Sequence, residues 1–332
     1  MNKKRLLSLL VATVILLLPM LGVSLGAATA FSSPSIVGVH VRVESDFSAY
    51  FYIDAPGNLV TEVGILLGEE RIVAQQMEDG RYVAVVRGLS PTKMSNLATV
   101  CPYALIGNSS SMRGEAYLFG LQDYAMRLLS QEGLAEEARN MLIAMLNYGA
   151  ACQIKEGYRT HLLANVGLSE EEKQVSMRPY ENAFVAPEFG EGDLVYSASA
   201  SAYYEDRLML SFGFGVDGLN AEDGVYMEIS DDPTFVKSSK CALTKSKIGE
   251  ADIYTADTDG IYLNSLNKVY YIRLLTPNGV TLPLSYSVES YVHQVLETEL
   301  GEGIDEQTKA CLAALIAFGD ALQAYDAAAK IE

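Results

Sequence analysis

Two stretches of this chain share one pattern and indicate a duplicated fold. Residues 145–153 read MLNYGAACQ and residues 315–323 read LIAFGDALQ, so that Gly149 aligns with Gly319. Apolar residues recur at three- and four-residue spacing around both glycines, which is typical of the buried face of a helix. A glycine inside a helix costs about 1 kcal/mol relative to alanine. Its presence at the same place twice predicts that another backbone approaches the helix closely there.

Each of these helices follows a shorter predicted helix and a run of predicted strands. The shorter helices start after Phe119-Gly120-Leu121 and after Tyr286-Ser287-Val288, where Ser287 is a predicted N-cap. Upstream, alternating apolar residues and turn signals predict about seven short strands per copy. They are 36–43, 48–53, 59–67, 71–76, 81–86, 97–106 and 115–119 in the first copy, and 194–203, 207–214, 224–229, 241–244, 253–255, 268–275 and 281–285 in the second. Within this pattern, the segment starting at Met94 is aligned with the segment starting at Leu263.

The pattern predicts an α+β protein with two tandem antiparallel β-sandwich units of immunoglobulin or fibronectin type, each followed by a helical hairpin. Residues 31–168 form the first predicted module and residues 194–332 the second. The charged stretch 169–193, which contains proline and glycine, is the predicted linker between them.

Residues 1–30 have the pattern of a secretory signal peptide. Basic residues at positions 3–5 precede an apolar run from Leu6 to Leu25, and Ala28-Thr29-Ala30 is a small-residue cleavage site. The alternative is an uncleaved membrane anchor, because the run is long enough to span a bilayer. No other segment is expected to approach that length. The remainder of the protein is therefore expected to be secreted or held at the cell surface.

The charge of the chain excludes two classes of partner. Its net charge is −18, and loss of the three basic residues with the signal peptide would make the exported part more negative. Nucleic acids and anionic membranes both need a positive protein face, so neither is an expected partner. The simplest reading of this charge is solubility outside the cell, and attraction to cations or basic partners is the alternative.

The four cysteines are Cys101, Cys152, Cys241 and Cys311. An even number in an exported chain is compatible with two disulfides. However, no two lie close together in sequence, and their positions differ between the copies. Cys152 and Cys311 fall on apolar helix stripes, where cysteine commonly acts as a small buried hydrophobic residue. We therefore favour buried thiols over disulfides, and over a metal site, which would need closely paired ligands.

The stretch 145–153, together with Leu121-Gln122-Asp123-Tyr124-Ala125, resembles a module of large secreted or surface proteins from anaerobic Gram-positive gut bacteria. In that family a strand-rich part ends in a helix with an Asp-Tyr-Ala motif and then a helix with an Asn-Tyr-Gly-Ala core. The second copy departs from this core at Ala317-Phe318-Gly319-Asp320, and Cys152 replaces the usual alanine. The resemblance implies an extracellular, modular setting and brings no catalytic residues with it.

Motifs for catalysis are weak in this sequence. Ser90-Pro91-Thr92-Lys93 and Ser265-Leu266-Asn267-Lys268 match S-x-x-K, but the motifs that accompany it in penicillin-recognising enzymes are missing. Both matches are interpreted as chance. The three histidines, His40, His161 and His293, are scattered, and His40 is predicted to face solvent from a strand. There is no nucleophile elbow, phosphate-binding loop or dinucleotide fingerprint.

Two features suggest ligand binding. Asp217, Asn220, Glu222 and Asp223 form an oxygen-rich loop of the kind that calcium selects, although the EF-hand spacing is absent. Calcium is the only cofactor considered, and an ordinary acidic loop is the alternative. The dipeptides Tyr203-Tyr204 and Tyr270-Tyr271 could stack on sugars, or could simply pack within strands.

Together these observations predict a non-catalytic extracellular or cell-surface modular protein with a scaffold or adhesion role. Its expected partner is an extracellular protein or a glycan. One alternative is a glycan-binding protein that uses tyrosine platforms. Another is a secreted hydrolase with an unrecognised pair of carboxylates, which a sequence with 42 acidic residues cannot identify.

Overall fold

A computed structural model of the protein describes residues 33–55, 60–107, 110–176, 195–204, 207–216, 224–248, 251–276, 279–281, 283–297 and 301–330. The predicted signal peptide lies outside these residues. The described part is α+β, as predicted, with four antiparallel sheets and four helices. The chain divides into two compact units: Met1–Val175 with Ala321–Glu332, and Ser176–Asp320. The first division falls within the stretch 169–193 predicted as a linker.

The first unit contains two sheets, A and B, and two complete helices. Its strands are β1 (Ser35–Val43), β2 (Phe47–Asp54), β3 (Val60–Leu67), β4 (Glu70–Val73), β5 (Gln75–Gln76), β6 (Tyr82–Val86), β7 (Ala98–Ile106), β8 (Ser110–Arg113) and β9 (Tyr117–Phe119). Sheet A has the order β1-β2-β6-β5, and sheet B has the order β4-β3-β7-β8 with β9 also paired to β7. The helices are α1 (Leu121–Leu129) and α2 (Glu136–Lys155).

The second set of elements repeats the first in the same order. Its strands are β10 (Val195–Tyr204), β11 (Leu208–Val216), β12 (Tyr226–Ser230), β13 (Ser238–Ala242), β14 (Thr244–Ile248), β15 (Ala251–Asp257), β16 (Tyr270–Thr276), β17 (Gly279–Val280) and β18 (Leu284–Tyr286). Sheet C has the order β10-β11-β15-β14, and sheet D has the order β13-β12-β16-β17 with β18 paired to β16. The helices are α3 (Val288–Glu297) and α4 (Glu306–Ala328). Every strand thus has a counterpart in the other unit.

The predicted strands 71–76 and 241–244 each cover parts of two strands. In the first unit β4 belongs to sheet B and β5 to sheet A, with only Ala74 between them. In the second unit Leu243 alone separates β13 in sheet D from β14 in sheet C. A change of sheet over one residue needs no glycine or proline, so the sequence carries no turn signal there. The short strands β8 and β17 were missed as well.

The predicted alignment of Met94 with Leu263 is wrong by three residues. Met94 and Leu266 each follow a short 3-10 helix, Pro91–Lys93 and Leu263–Ser265. Their carbonyl oxygens accept equivalent hydrogen bonds of 3.0 Å from the backbone N–H groups of Gln122 and Glu289. Met94 therefore corresponds to Leu266, and the strands that follow correspond in the same register.

Equivalent aromatic pairs lie in the cores of the two units. The rings of Phe51 on β2 and Phe119 on β9 meet edge to face, with their centroids 5.2 Å apart. Phe212 on β11 and Tyr286 on β18 repeat this contact at 6.1 Å. Each pair joins the two sheets of its own unit, and such pairs contribute about 0.5–1.5 kcal/mol beyond the burial of their surface.

The helices follow the predicted pattern, and both glycines lie at close contacts. A Cβ atom at Gly149 would lie 2.4 Å from Sδ of Met94, and one at Gly319 would lie 2.8 Å from the carbonyl oxygen of Leu263. In both units an equivalent side chain lies nearest, Met94 at Gly149 and Leu266 at Gly319, each at 2.4 Å. The additional contact with the carbonyl oxygen of Leu263 is the close backbone approach that the sequence predicts, whereas the three nearest atoms at Gly149 all belong to side chains. Ser287 is the N-cap of α3, because its Oγ accepts a 2.9 Å hydrogen bond from the N–H of Ser290.

Among the described helices, α4 is long and apolar enough to cross a membrane by length and composition. Its most apolar window has a mean hydropathy of 1.2, and half of that window is buried inside the protein. Core helices share these properties, so they do not identify a membrane span. The expectation that only the N-terminal run approaches a spanning length was nevertheless wrong.

Candidate functional site

The two units differ most clearly in the connection between two equivalent strands. In the first unit β3 joins β4 through the two-residue turn Gly68 and Glu69. In the second unit β12 ends at Ser230 and β13 begins at Ser238, so the connection runs from Asp231 to Lys237. Insertions in loops are where a repeated scaffold acquires specific functions. The segment Asp231–Lys237, called here the β12–β13 loop, is such an insertion.

Short hydrogen bonds hold the β12–β13 loop in one conformation. Oγ of Ser230 donates to the carbonyl oxygen of Lys237 at 2.7 Å and accepts from the N–H of Asp232 at 2.9 Å, which closes the base of the loop. The carboxylate of Asp232 accepts hydrogen bonds from both the N–H and the hydroxyl of Thr234, at 2.9 and 2.6 Å. The loop is thus fixed by its own side chains as well as by the strands.

Phe235 in this loop has a backbone conformation that a bulky residue rarely adopts. Its φ angle is +56°, in the left-handed region, and its side chain is buried. The guanidinium carbon of Arg273 lies 3.9 Å from the centre of its ring. Such a conformation costs of order 1–3 kcal/mol and persists where the surroundings impose it. The anchoring of Phe235 against Arg273 supplies that constraint.

A buried carboxylate holds Arg273 in place. Glu228 on β12 accepts a 2.7 Å hydrogen bond from Nε of Arg273 and a 2.5 Å hydrogen bond from the hydroxyl of Ser238. The bonds from Ser238 and then Arg273 keep the pKa of the Glu228 carboxyl below its ordinary value of 4.5. The carboxylate is therefore ionised at neutral pH and supports the ring-stacking arginine.

The β12–β13 loop forms one wall of a cleft of about 330 Å³. The other walls come from β13, from the start of β16 and from the segment that follows β15. The backbone of Thr258, in that segment, is tied to β11 by a 2.9 Å hydrogen bond to the carbonyl oxygen of Leu210. The cleft, called here the β12–β16 cleft, lies entirely within the second unit.

Charged side chains of both signs line the β12–β16 cleft. They are Asp231 and Asp259, and Lys237 and Lys268. Nζ of Lys268 lies 3.0 Å from Oδ2 of Asp231, and this contact keeps the pKa of the Asp231 carboxyl below its ordinary value. In the part of the chain that the structure describes, Lys237 and Asp259 make no ion pair, so both remain available to a ligand.

One aromatic side chain belongs to the cleft. The ring of Tyr270 lies beside Lys268, whose Nζ is 5.3 Å from the ring centre. Burial, followed by the nearby charge of Asp231, raises the pKa of the Tyr270 hydroxyl, which stays protonated. The residue offers a neutral hydroxyl and an apolar ring edge. Of the four tyrosines singled out in the sequence, Tyr203, Tyr204 and Tyr271 do not line this cleft.

Neighbouring tyrosines on a strand cannot form one flat platform. Successive side chains of a strand point to opposite faces of the sheet. Tyr270 and Tyr271 both lie in β16, and Tyr203 and Tyr204 both lie in β10. A sugar could therefore contact only one ring of either dipeptide.

The first unit has no comparable arrangement at the equivalent place. Asn96 corresponds to Lys268, and its side chain is bound within the protein. Its amide donates to the hydroxyl of Tyr158 at 2.8 Å, and its carbonyl accepts from Nη1 of Arg159 at 2.8 Å. Ala98 corresponds to Tyr270, since these residues pair with the equivalent Phe119 and Tyr286. The set of charged groups is thus particular to the second unit.

The predicted calcium ligands cannot be placed. Asp217, Asn220, Glu222 and Asp223 lie outside the described residues. Elsewhere, in the described ranges, no three His, Cys, Asp or Glu side chains are grouped as metal ligands would be.

The two S-x-x-K matches do not form catalytic pairs. Oγ of Ser265 donates to Oδ1 of its neighbour Asn264 at 2.9 Å, whereas Lys268 pairs with Asp231. Lys93 ends the 3-10 helix Pro91–Lys93 and is exposed. The motif at Ser265 nevertheless contains one residue of the cleft, Lys268.

The histidines lie far apart in the sequence and in different surroundings. His40 is buried, with only 4% of its surface exposed, so the prediction that it faces solvent was wrong. Its neighbours on β1 are buried on both faces of the strand, and its ring lies 5.6 Å from that of Tyr50. His161 is exposed, and Nδ1 of His293 lies 3.0 Å from Oε2 of Glu297, one turn along α3.

The cysteines also differ in their surroundings. Cys152 and Cys311 are buried on α2 and α4, as their helix stripes predict. Cys101 is half-buried, with its sulfur 3.5 Å from the carbonyl oxygen of Gly114. Cys241 lines the cleft, where burial, then Asp259 and Asp257, raise the pKa of its thiol. A thiol with a raised pKa is a poor nucleophile at neutral pH.

Asp231, Lys237 and Lys268 were not predicted from the sequence as site residues. One signal was present: the second copy carries residues between β12 and β13 that the first copy lacks. The difference is already visible in the predicted strands, where residues 68–70 separate two strands of the first copy and residues 230–240 separate their counterparts in the second.

In comparisons with known proteins, no family model and no curated protein matches the chain.

Proposed function

We propose that this protein is a non-catalytic extracellular or cell-surface modular protein with a scaffold or adhesion role. The observation that carries the proposal is the repetition of one strand order and one helix pair, with a longer β12–β13 connection in the second unit. The signal-peptide pattern of residues 1–30 and the resemblance to bacterial surface modules support the proposed location outside the cell or at its surface.

At the level of fold, the proposal includes two β-sandwiches of immunoglobulin or fibronectin type. The contacts of Phe51 with Phe119 and of Phe212 with Tyr286 support it, because each joins two sheets through buried rings. In sandwiches of this type, side chains from the inner faces of two sheets form one core. The loops at the ends of the strands are then free to bind a partner.

The properties of the cleft favour binding over hydrolysis. A glycoside hydrolase needs one carboxyl that stays protonated, usually in apolar surroundings, and a second that is ionised. Asp231 is paired with Lys268 and has a lowered pKa, and Asp259 is exposed to solvent. Neither carboxyl has the surroundings of a general acid. The hydrolase alternative therefore has less support than a binding role.

Fractionation of the native host tests this proposal. We expect the protein in the culture medium or in the cell-wall fraction, with residues 1–30 removed. The N-terminal peptide of the purified protein, identified by mass spectrometry, reports the cleavage. Recovery of the whole chain in the cytosol would contradict the proposal, and release of new reducing ends from host or dietary polysaccharides would contradict its non-catalytic part.

A further inference from the structure

From its charges and shape, we infer that the β12–β16 cleft binds a neutral saccharide. The inference rests on the proposed function, because it names the ligand class of an extracellular binding protein. It concerns the second unit alone and predicts no equivalent site in the first, where Gly68 and Glu69 replace the loop.

The balance of charges in the cleft disfavours an ionic ligand. Asp231 and Asp259 face Lys237 and Lys268 around the same space, so the four side chains carry no net charge at neutral pH. A phosphate or uronate would meet two carboxylates, and a polyamine would meet two ammonium groups. The net charge of −18 on the whole chain also opposes the approach of anions.

The same four groups match the hydrogen bonding of sugar hydroxyls. A hydroxyl both donates and accepts, whereas an ammonium group only donates and a carboxylate only accepts. Lys237 and Asp259, which are not paired to each other or to other described residues, offer one of each kind. The hydroxyl of Ser239, exposed on β13, and the protonated hydroxyl of Tyr270 add groups that do both.

The cleft also has the apolar surface that a sugar ring needs for its C–H faces. Tyr270 provides it inside the cleft, and Ile229 lines the base. Tyr262, outside the cleft lining, leaves 45% of its surface exposed. One aromatic ring with polar neighbours is a suitable contact for a small sugar, whereas a lipid or drug-like molecule would need a mostly apolar pocket.

The size of the cleft sets the length of the ligand. Its volume of about 330 Å³ is at the lower end of the range of roughly 300–1,000 Å³ for small-molecule sites. We therefore expect it to hold about one or two sugar residues, as the end or a short internal segment of a chain.

The test uses the protein purified from the medium of an expressing host. Saturation-transfer NMR and calorimetry are run with three groups of probes: neutral oligosaccharides (cello-, malto-, xylo- and galacto-oligosaccharides), oligogalacturonates as anionic saccharides, and dipeptides as zwitterions. We expect at least one neutral oligosaccharide to bind and the other two groups to bind at least tenfold more weakly. Reducing ends are measured in the same samples.

Two substitutions locate the site. Lys268→Met and Lys237→Met each remove a charged donor from the cleft, and we expect each to weaken saccharide binding about tenfold. The matched control is Lys309→Met. Lys309 is a lysine on α4 that pairs with Glu306 at 3.2 Å and does not line the cleft. The control should bind as the unchanged protein does.

The outcomes separate this inference from the proposed function. Absence of binding to every neutral probe, preferential binding of a dipeptide or oligogalacturonate, or equal binding by the variants and the control would overturn the inference. A scaffold or adhesion role could survive each of these results. Release of reducing ends together with binding would instead overturn the non-catalytic role and leave the saccharide site standing.

Discussion

Both helical glycines face an equivalent side chain at 2.4 Å, Met94 or Leu266, but Gly319 also faces a backbone atom. At Gly149 the nearest atom is Sδ of the buried Met94, which belongs to a flexible side chain. At Gly319 the neighbours include the carbonyl oxygen of Leu263, which belongs to the backbone and cannot rotate away. The sequence predicted a close contact with another backbone at both glycines, and such a contact is among the nearest neighbours at Gly319 but not at Gly149. The difference between them requires the structure.

We expect Gly319→Ala to lower the free energy of unfolding by about 1–2 kcal/mol, since overpacking exceeds the gain in helix propensity. Gly149→Ala should change it by no more than about 1 kcal/mol, because Met94 can adjust. Equilibrium urea unfolding measures both. Ala310→Gly, at an exposed position of α4, is the control and should cost about 1 kcal/mol through propensity alone. Equal losses at the two glycines would contradict this account.

Glu228 should make the second unit sensitive to acid. Its folded-state pKa lies below the ordinary value of 4.5, so its contribution to stability is complete above pH 4.5 and is lost as the pH falls through the folded value. Glu228→Gln should destabilise the protein by about 1–2 kcal/mol at pH 7, because one hydrogen-bonded charge is removed while Arg273 remains partly exposed. The variant should also lose less stability than the unchanged protein below pH 4.5. Parallel pH profiles in urea unfolding would count against this role.

Among elements, the β12–β13 loop is the clearest departure from the repeat. Replacing Ser230–Ser238 by the dipeptide of Gly68 and Glu69 would let Ile229 and Ser239 close the hairpin as Leu67 and Glu70 do. We expect saccharide binding to be lost, with the far-ultraviolet circular dichroism unchanged and the free energy of unfolding altered by no more than about 2 kcal/mol. The control replaces the two-residue turn of the first unit, Gly68-Glu69, by Asn-Gly, which is a change outside the cleft. Retained binding in the loop-replaced protein would show that the ligand site lies elsewhere.

A helix or strand was predictable from the sequence where its own residues carry a signal, such as an apolar stripe or a cap. The helices were predicted well because their stripes are long and periodic, and Ser287 marked the start of α3. The strands β8 and β17 were missed because they are too short to show an alternating pattern. The changes of sheet at Ala74 and Leu243 were missed because a one-residue break carries no turn residue. The site was missed because it depends on register. Asp231 and Lys268 are far apart in the chain, and only the pairing of β12 with β16 brings them together.

At the scale of the whole molecule, the duplicated units share the features that build their cores and differ at the surface. Both units keep the same strand order, the same aromatic pair and the same helical glycine, which are the features that build a core. They differ in surface features: the β12–β13 loop and the residues equivalent to Lys268 and Tyr270. When a fold is present twice, one copy can stay unchanged while the other gains a ligand site. Such a change is tolerated in the β12–β13 loop because this loop lies outside the core.

The charge of the whole chain gives a further test of the ligand class. A net charge of −18 produces a long-range field that repels anions and attracts cations, and dissolved salt screens it within a Debye length. A neutral saccharide does not respond to that field. We therefore expect its dissociation constant to change less than about twofold between about 0.02 M and about 0.5 M sodium chloride. Calorimetry at both salt concentrations measures this, with an oligogalacturonate as the charged comparison. A change of tenfold or more for the neutral probe would mean that long-range charge, and not the local hydrogen bonds of Lys237 and Asp259, controls binding at the cleft.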